Sequence, residues 1–166
     1  MTRIETERLI LRTPEADDLD EVVRVFSDDG AMQYSFGKRD RAESTVWLEQ
    51  TREISVEGMG AFGVFERGGE EMVGVCILKD QEVDGDFLPE IGYRIKTDHQ
   101  GKGYATEAAR ALRVHAFETI GLDFVVSLIV SENEPSQRVA VKNGMTRVRR
   151  GTFKGLELDV WSVDRP

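Results

Sequence analysis

The 166-residue chain is 40% hydrophobic and 32% charged, the balance of an ordinary soluble domain, and it is long enough to bury one core without disulfides or a structural metal. No apolar run nears the roughly 20 residues of a membrane span, and the N-terminus lacks the apolar centre of a signal peptide. A formal charge of −9 argues against a nucleic-acid partner and serves either solubility or the attraction of a cationic acceptor.

The expectation is therefore a single domain over residues 1–166, cytoplasmic, away from membrane and nucleic acid. Arg8 to Arg12 reads as a first strand after a short lead-in, followed by a helix with Leu19, Val22, Val23 and Phe26 on one face. Residues 30–41 read as a loop. A second helix over Ala42 to Val56 presents Trp47, Thr51 and Ile54, with Gly58 and Gly60 beyond it as a stop. Two apolar runs around Arg67-Gly68-Gly69-Glu70 predict a hairpin of strands two and three. After a turn-rich segment over residues 81–89, Glu90 to Lys96 reads as strand four. Ala105, Ala108, Ala109, Leu112 and Ala116 then mark the buried stripe of a helix ending near Gly121.

The nearly all-apolar run of residues 123–130 predicts strand five, covered on both faces and parallel to strand four. A short helix closing at Asn143-Gly144 and two strands joined near Gly155 complete a mixed α/β domain of order β-α-α-β-β-β-α-β-α-β-β. Cys76 lies in an apolar strand and reads as a small buried hydrophobe. With two histidines and one cysteine the chain has no zinc-ligand spacing, so no metal is expected.

The turn Gln100 to Ala105 joins strand four to its helix. Such a turn leaves amides without intrahelical partners, Gly101 and Gly103 let an anion reach the main chain, and Lys102 adds charge; a pyrophosphate would suit it. A nucleoside-triphosphate loop is excluded because no Lys-Ser or Lys-Thr pair follows at the required place. A dinucleotide fingerprint fits poorly, since Thr106 occupies its third glycine position and Asp123 precedes its strand. Taken alone, a Gly-x-Gly turn is also a plain helix entry.

The surrounding sequence narrows the choice. Gln100-x-x-Gly103-x-Ala105, between the strand Glu90 to Ile95 and the helix that opens Thr106-Glu107-Ala108, resembles motif A of the GNAT superfamily of N-acetyltransferases. Thr6 to Arg12, and Asn133-x-x-Ser136 followed by residues 139–145, are similar to segments of the RimJ/RimL-like branch. The resemblance implies a GNAT fold: a central, mostly antiparallel sheet, helices on both faces, and parallel strands four and five splayed apart. It implies acetyl coenzyme A as donor. Its pyrophosphate would lie on Gln100, Gly101, Lys102, Gly103, Tyr104, Ala105 and Thr106, and its pantetheine beside Ile91, Gly92, Tyr93, Arg94 and Ile95. A dimer is the family-based expectation.

Acetyl transfer to an amine needs a base, an oxyanion donor and an acid for the leaving sulfur. Glu90 is the candidate base, alternating onto one face with Gly92 and Arg94; a solvated carboxylate at a strand start is the competing reading. The resemblance puts the Ile91 or Gly92 amide against the thioester carbonyl. Where many relatives carry an acid tyrosine this chain has Ala140, and the RimL-like pattern offers Ser136, with Asn133 beside it; helix capping is the alternative for both. Tyr93 reads as core with a satisfied hydroxyl, and Glu107 as a partner of the helix dipole. Tyr34, Phe36, Phe153 and Trp161 line an acceptor cleft or pack in the core. The acceptor is an amine, a peptide N-terminus on the RimL-like wording, with a small amine such as a polyamine or antibiotic, or a non-catalytic coenzyme A sensor, as alternatives.

Overall fold

The computed structural model describes residues 1–54 and 58–166. Its strands are β1 (Arg3–Glu5), β2 (Leu9–Arg12), β3 (Gly60–Glu66), β4 (Met72–Val83), β5 (Asp86–Ile95), β6 (Phe124–Ile129), β7 (Thr146–Phe153) and β8 (Leu156–Asp164). Its helices are α1 (Leu19–Ser27), α2 (Asp29–Met32), α3 (Arg41–Ile54), α4 (Tyr104–Val114), prolonged by a π turn over His115–Ile120, and α5 (Glu134–Lys142). The strands form one sheet in the order β1-β2-β3-β4-β5-β6-β8-β7, antiparallel throughout except between β5 and β6. This is the mixed sheet expected, and the expected strands four and five are β5 and β6.

The sheet has a helical layer on each face. On one, Ile91 and Ile95 pack with Tyr104, Ala108, Ala109 and Leu112 of α4, whose small residues let the helix lie close. On the other, Val22, Val25 and Phe26 of α1 and Leu48 of α3 cover Phe65, Met72 and Val75. Strand β3 is buried at six of its seven residues because it runs between these layers. No described helix is long and apolar enough to cross a membrane.

Five local expectations change. The lead-in forms an edge strand, β1, with Ile4 paired to Leu11. Residues 30–41 include the end of α2, whose first turn is capped by the Asp28 carboxylate accepting from the Ala31 amide. The turn-rich segment 81–89 continues β4 and β5 as a ladder closed by Asp84 and Gly85, both at positive φ as a tight hairpin requires. The packed face of α3 centres on Ser44, Leu48 and Thr51, one residue round from the predicted stripe, which leaves Ile54 64% exposed and brings Trp47 edge-on to Phe26. On α1 the buried trio is Val22, Val25 and Phe26, with Val23 only half-buried. The predicted end of the second helix at Val56 lies outside the described residues.

What positions the site is the break between the two halves of the sheet. Strand β5 is laddered to β4 over its whole length, and β6 to β8 over its whole length, but β5 and β6 share one bridge, Glu90 with Val126. At one end the halves are also held together by Asp84, which takes the Arg149 guanidinium at 2.9 Å and the Thr152 amide at 3.1 Å. Beyond Glu90 no strand pairing joins them, so the gap opens as a wedge toward the ends of β5 and β6, which lead into α4 and α5.

Candidate active site

The glycine turn stands at the mouth of this wedge. Gly101 and Gly103 have φ of 75° and 82°, a left-handed region that glycine enters without strain, and a Cβ on Gly101 would meet nothing within 4 Å. Gly103 caps α4, so the amides of Tyr104, Ala105 and Thr106 have no intrahelical acceptor and present a positive helix end. The Gln100 amide donates instead to the Thr97 carbonyl, and its side chain donates to the Ile95 carbonyl, so Gln100 shapes the turn from within.

The turn is fastened to the first strands through Glu107. That carboxylate accepts from the Thr6 hydroxyl at 2.6 Å, the Arg8 amide at 2.8 Å and the Arg8 Nε at 2.7 Å, while Arg8 Nη1 donates to the Lys102 carbonyl. Glu107 has the structural role read from the sequence, through side-chain partners besides the helix dipole. The Tyr104 hydroxyl donates to Glu66, which holds its ring against the turn.

A cleft of about 590 Å³ runs from the turn through the wedge to the far side of the sheet. It is bordered by Glu90, Ile91, Gly92, Tyr93, Arg94 and Ile95 of β5, by Gln100, Gly101, Gly103, Tyr104, Ala105 and Thr106, and by Asn133 and Ser136 of the α5 start. Of the predicted set only Lys102 is absent from the walls; its ammonium lies 5.9 Å from the Tyr104 ring centre. Tyr34, Phe36 and Phe153 border the cleft, whereas Trp161 packs against the core.

Glu90 is buried, not a solvated strand-start carboxylate. Burial pushes its carboxyl above the usual range, opposed by the hydrogen bond from Gln81 at 2.9 Å and by the charges of Arg94, Lys79 and Lys154. A Cβ on Gly92 would come within 3.4 Å of Glu90 Oε1, so glycine there keeps the space before the carboxylate open.

Backbone polarity in the wedge follows from one contact, the Ser127 hydroxyl donating to the Ile91 carbonyl at 2.7 Å. In a strand the N–H and C=O of one residue point to the same side and those of the next to the other. Ile91 and Tyr93 thus turn their amides toward β6, and Gly92 turns its amide toward β4. Of the amides on the β6 side, that of Tyr93 is the first beyond the single bridge.

The Tyr93 hydroxyl donates to the Ser136 carbonyl at 3.1 Å and ties β5 to α5, so its role is structural; burial raises its pKa. Asn133 caps α5, its Oδ1 accepting from the Ser136 amide. Among the described residues the Ser136 hydroxyl has no hydrogen-bond partner, while its main chain is held at both ends. Burial raises the Cys76 thiol, which is inert core as expected. The sequence reading missed Ser127, Gln81 and Arg39. A hydroxyl at the centre of the apolar strand "FVVSLI" was the available signal for Ser127.

The description of the matching family model is "Acetyltransferase (GNAT) domain", and it covers residues 8–146. The chain is 30% identical over 152 residues to an uncharacterized N-acetyltransferase of Bacillus subtilis, YnaD, covering 91% of this chain and 85% of that one. Among solved structures, the acetyltransferase from Agrobacterium tumefaciens superposes with a TM-score of 0.81 at 26% identity, covering 99% and 95% of the two chains. RimL, a ribosomal L7/L12 α-N-protein acetyltransferase, solved in complex with coenzyme A, shares the fold with a TM-score of 0.79 at 18% identity, covering 98% of each chain.

Proposed function

The chain belongs to the GNAT acetyltransferase family, and from that premise we propose that it passes the acetyl group of acetyl coenzyme A directly to a primary amine held in the same cleft. The observation that carries this reading is the wedge itself: unpartnered α4 amides at its mouth and a buried carboxylate at its far end, joined by one continuous cleft. The residues present suit coenzyme A, since the turn is open at Gly101, the side chain nearest Gly103 is the cationic Arg8 guanidinium, and the α4 amides supply donors for a pyrophosphate.

Bound there, the thioester supplies an activated acetyl group. Glu90 takes the proton of the incoming ammonium, directly or through water, at a carboxylate whose raised pKa brings it nearer to neutral pH. The Tyr93 amide, facing β6, polarises the acetyl carbonyl. The C–N bond forms as the C–S bond breaks, and the Ser136 hydroxyl returns a proton to the sulfur. Asn133 and the Tyr93 hydroxyl fix Ser136 in place.

A protein or peptide N-terminus is the acceptor class we favour, supported by the RimJ/RimL-like wording at Thr6 to Arg12 and Asn133 to Met145 and by the fold shared with RimL. Thiol release from acetyl coenzyme A in the presence of N-terminal peptides, with a mass gain of one acetyl group, is the expected result. Tight binding of acetyl coenzyme A with no transfer to any amine would leave a sensor as the better reading.

A further inference from the structure

The acceptor end of the cleft is cationic, although the chain as a whole is acidic. Arg39, from the segment after α2, Lys79 of β4, Arg94 of β5 and Lys154 of the β7–β8 turn all border it, and Glu90 is the only aspartate or glutamate among its described lining residues. Lys79 stands opposite Glu90 in the β4–β5 ladder, and Arg94 falls on the same face of β5 four residues on. That face looks away from α4, so these charges lie across the sheet from the glycine turn.

Among the described residues none of the four has a carboxylate within salt-bridge distance. Burial lowers the pKa of Arg39, Lys79 and Arg94; repulsion from neighbouring cations acts in the same direction on Lys79 and Arg94, against the attraction of Glu90, and Glu43 opposes the shift of Arg39. Two of the heads lie over aromatic rings: the Arg39 guanidinium is 4.6 Å from the Phe26 ring centre, and the Lys154 ammonium 5.2 Å and 5.7 Å from those of Phe153 and Phe36. Three partly buried cations, Arg39, Lys79 and Arg94, with the exposed Lys154 at the rim, surround one carboxylate and make a site that an anion completes and a polycation enters only against repulsion.

Building on the transfer reading above, we propose that the acceptor is a primary amine carrying a carboxylate or phosphate a few bonds away, its anion held by Arg39, Lys79, Arg94 and Lys154 and its amine before Glu90. Net charge points to a polyamine-like acceptor; the local field of the cleft points the other way. An amino-acid-like small molecule and a peptide with acidic residues next to its N-terminus share this chemistry.

The test is thiol release by the full chain with acetyl coenzyme A and matched acceptors. These are 4-aminobutyrate against butylamine and 1,4-diaminobutane, and the peptide Ser-Asp-Asp-Ala against Ser-Lys-Lys-Ala. In at least one series the anionic member should exceed its neutral or cationic counterparts in kcat/KM by about 10-fold or more, and the arm that does so identifies the source of the anion. Lys79→Gln should raise KM for that acceptor and leave KM for acetyl coenzyme A as it is. Lys154→Asn, on an exposed turn at a φ of 49° that asparagine tolerates, should do the same should the first variant fold poorly. Equal or better use of the cationic members would overturn the acceptor assignment alone, as would acetyl coenzyme A binding without turnover of any anionic amine. Failure to bind acetyl coenzyme A in calorimetry would instead overturn the transfer reading and this assignment with it.

Discussion

Glu90 and Ser136 illustrate how burial and bonding separate roles that residue type leaves open. A carboxylate enclosed in the sheet holds its proton to higher pH than an exposed one, so kcat/KM should rise with pH along an acid limb displaced above the ordinary carboxylate range. Glu90→Gln should lose that limb and about 100-fold or more in kcat, with acetyl coenzyme A affinity retained; an unchanged pH–rate profile would remove Glu90 from the chemistry. The same shift has a stability consequence. Because the folded pKa lies above the unfolded one, ionisation opposes folding, and the wild type should lose stability relative to Glu90→Gln as pH rises through the interval between them. Calorimetric melting of both proteins across that range checks the sign. For Ser136→Ala the expectation is slower turnover at unchanged acetyl coenzyme A affinity and melting temperature, because the lost hydroxyl makes no bond in the fold. Asn133→Ala removes the α5 cap and should cost about 1 kcal/mol of stability. The sequence suggested both residues without dividing acid from cap, since Ser and Asn near a helix start serve either purpose.

Among the elements, β5 and β6 matter most, because their single bridge leaves open the gap that the proposed transfer uses. Ser127 stands at that point, satisfying a carbonyl that strand pairing abandons. Ser127→Ala leaves the Ile91 oxygen buried without its partner and should destabilise the protein by about 1–3 kcal/mol; denaturant unfolding measures it, and a change near zero would mean the wedge is held by its ladders alone. The elements that the sequence disclosed well were those with an apolar face, α1, α4, β3 and β6. Those it hid were short or solvent-facing: β1 has three mostly exposed residues, and the outer β4–β5 ladder sets exposed Glu82, Asp86 and Phe87 around Asp84-Gly85. Their hydrogen bonds come from the ladder, which leaves no hydrophobic period to read. The α3 stripe was displaced for a related reason, as Trp47 and Leu48 are both apolar and only the packing against α1 decides which faces inward.

At the scale of the whole molecule, two ladders and two helical layers place a helix end, a row of strand amides and a buried carboxylate along one passage. The glycine turn was legible because its backbone demands are written in residue identity. The cationic far end was not, since Arg39, Lys79, Arg94 and Lys154 lie far apart in sequence and the total charge has the opposite sign. The proposed transfer depends on the α4 amides gripping the pyrophosphate of acetyl coenzyme A. Calorimetric titration of acetyl coenzyme A into the wild type and Gly103→Glu tests it most directly, with thermal melting as the check that the variant is folded. Binding to one site per chain in the wild type and a loss of about 100-fold or more in a folded variant is the predicted result, roughly 2.8 kcal/mol. Equal affinity in the two proteins would contradict it.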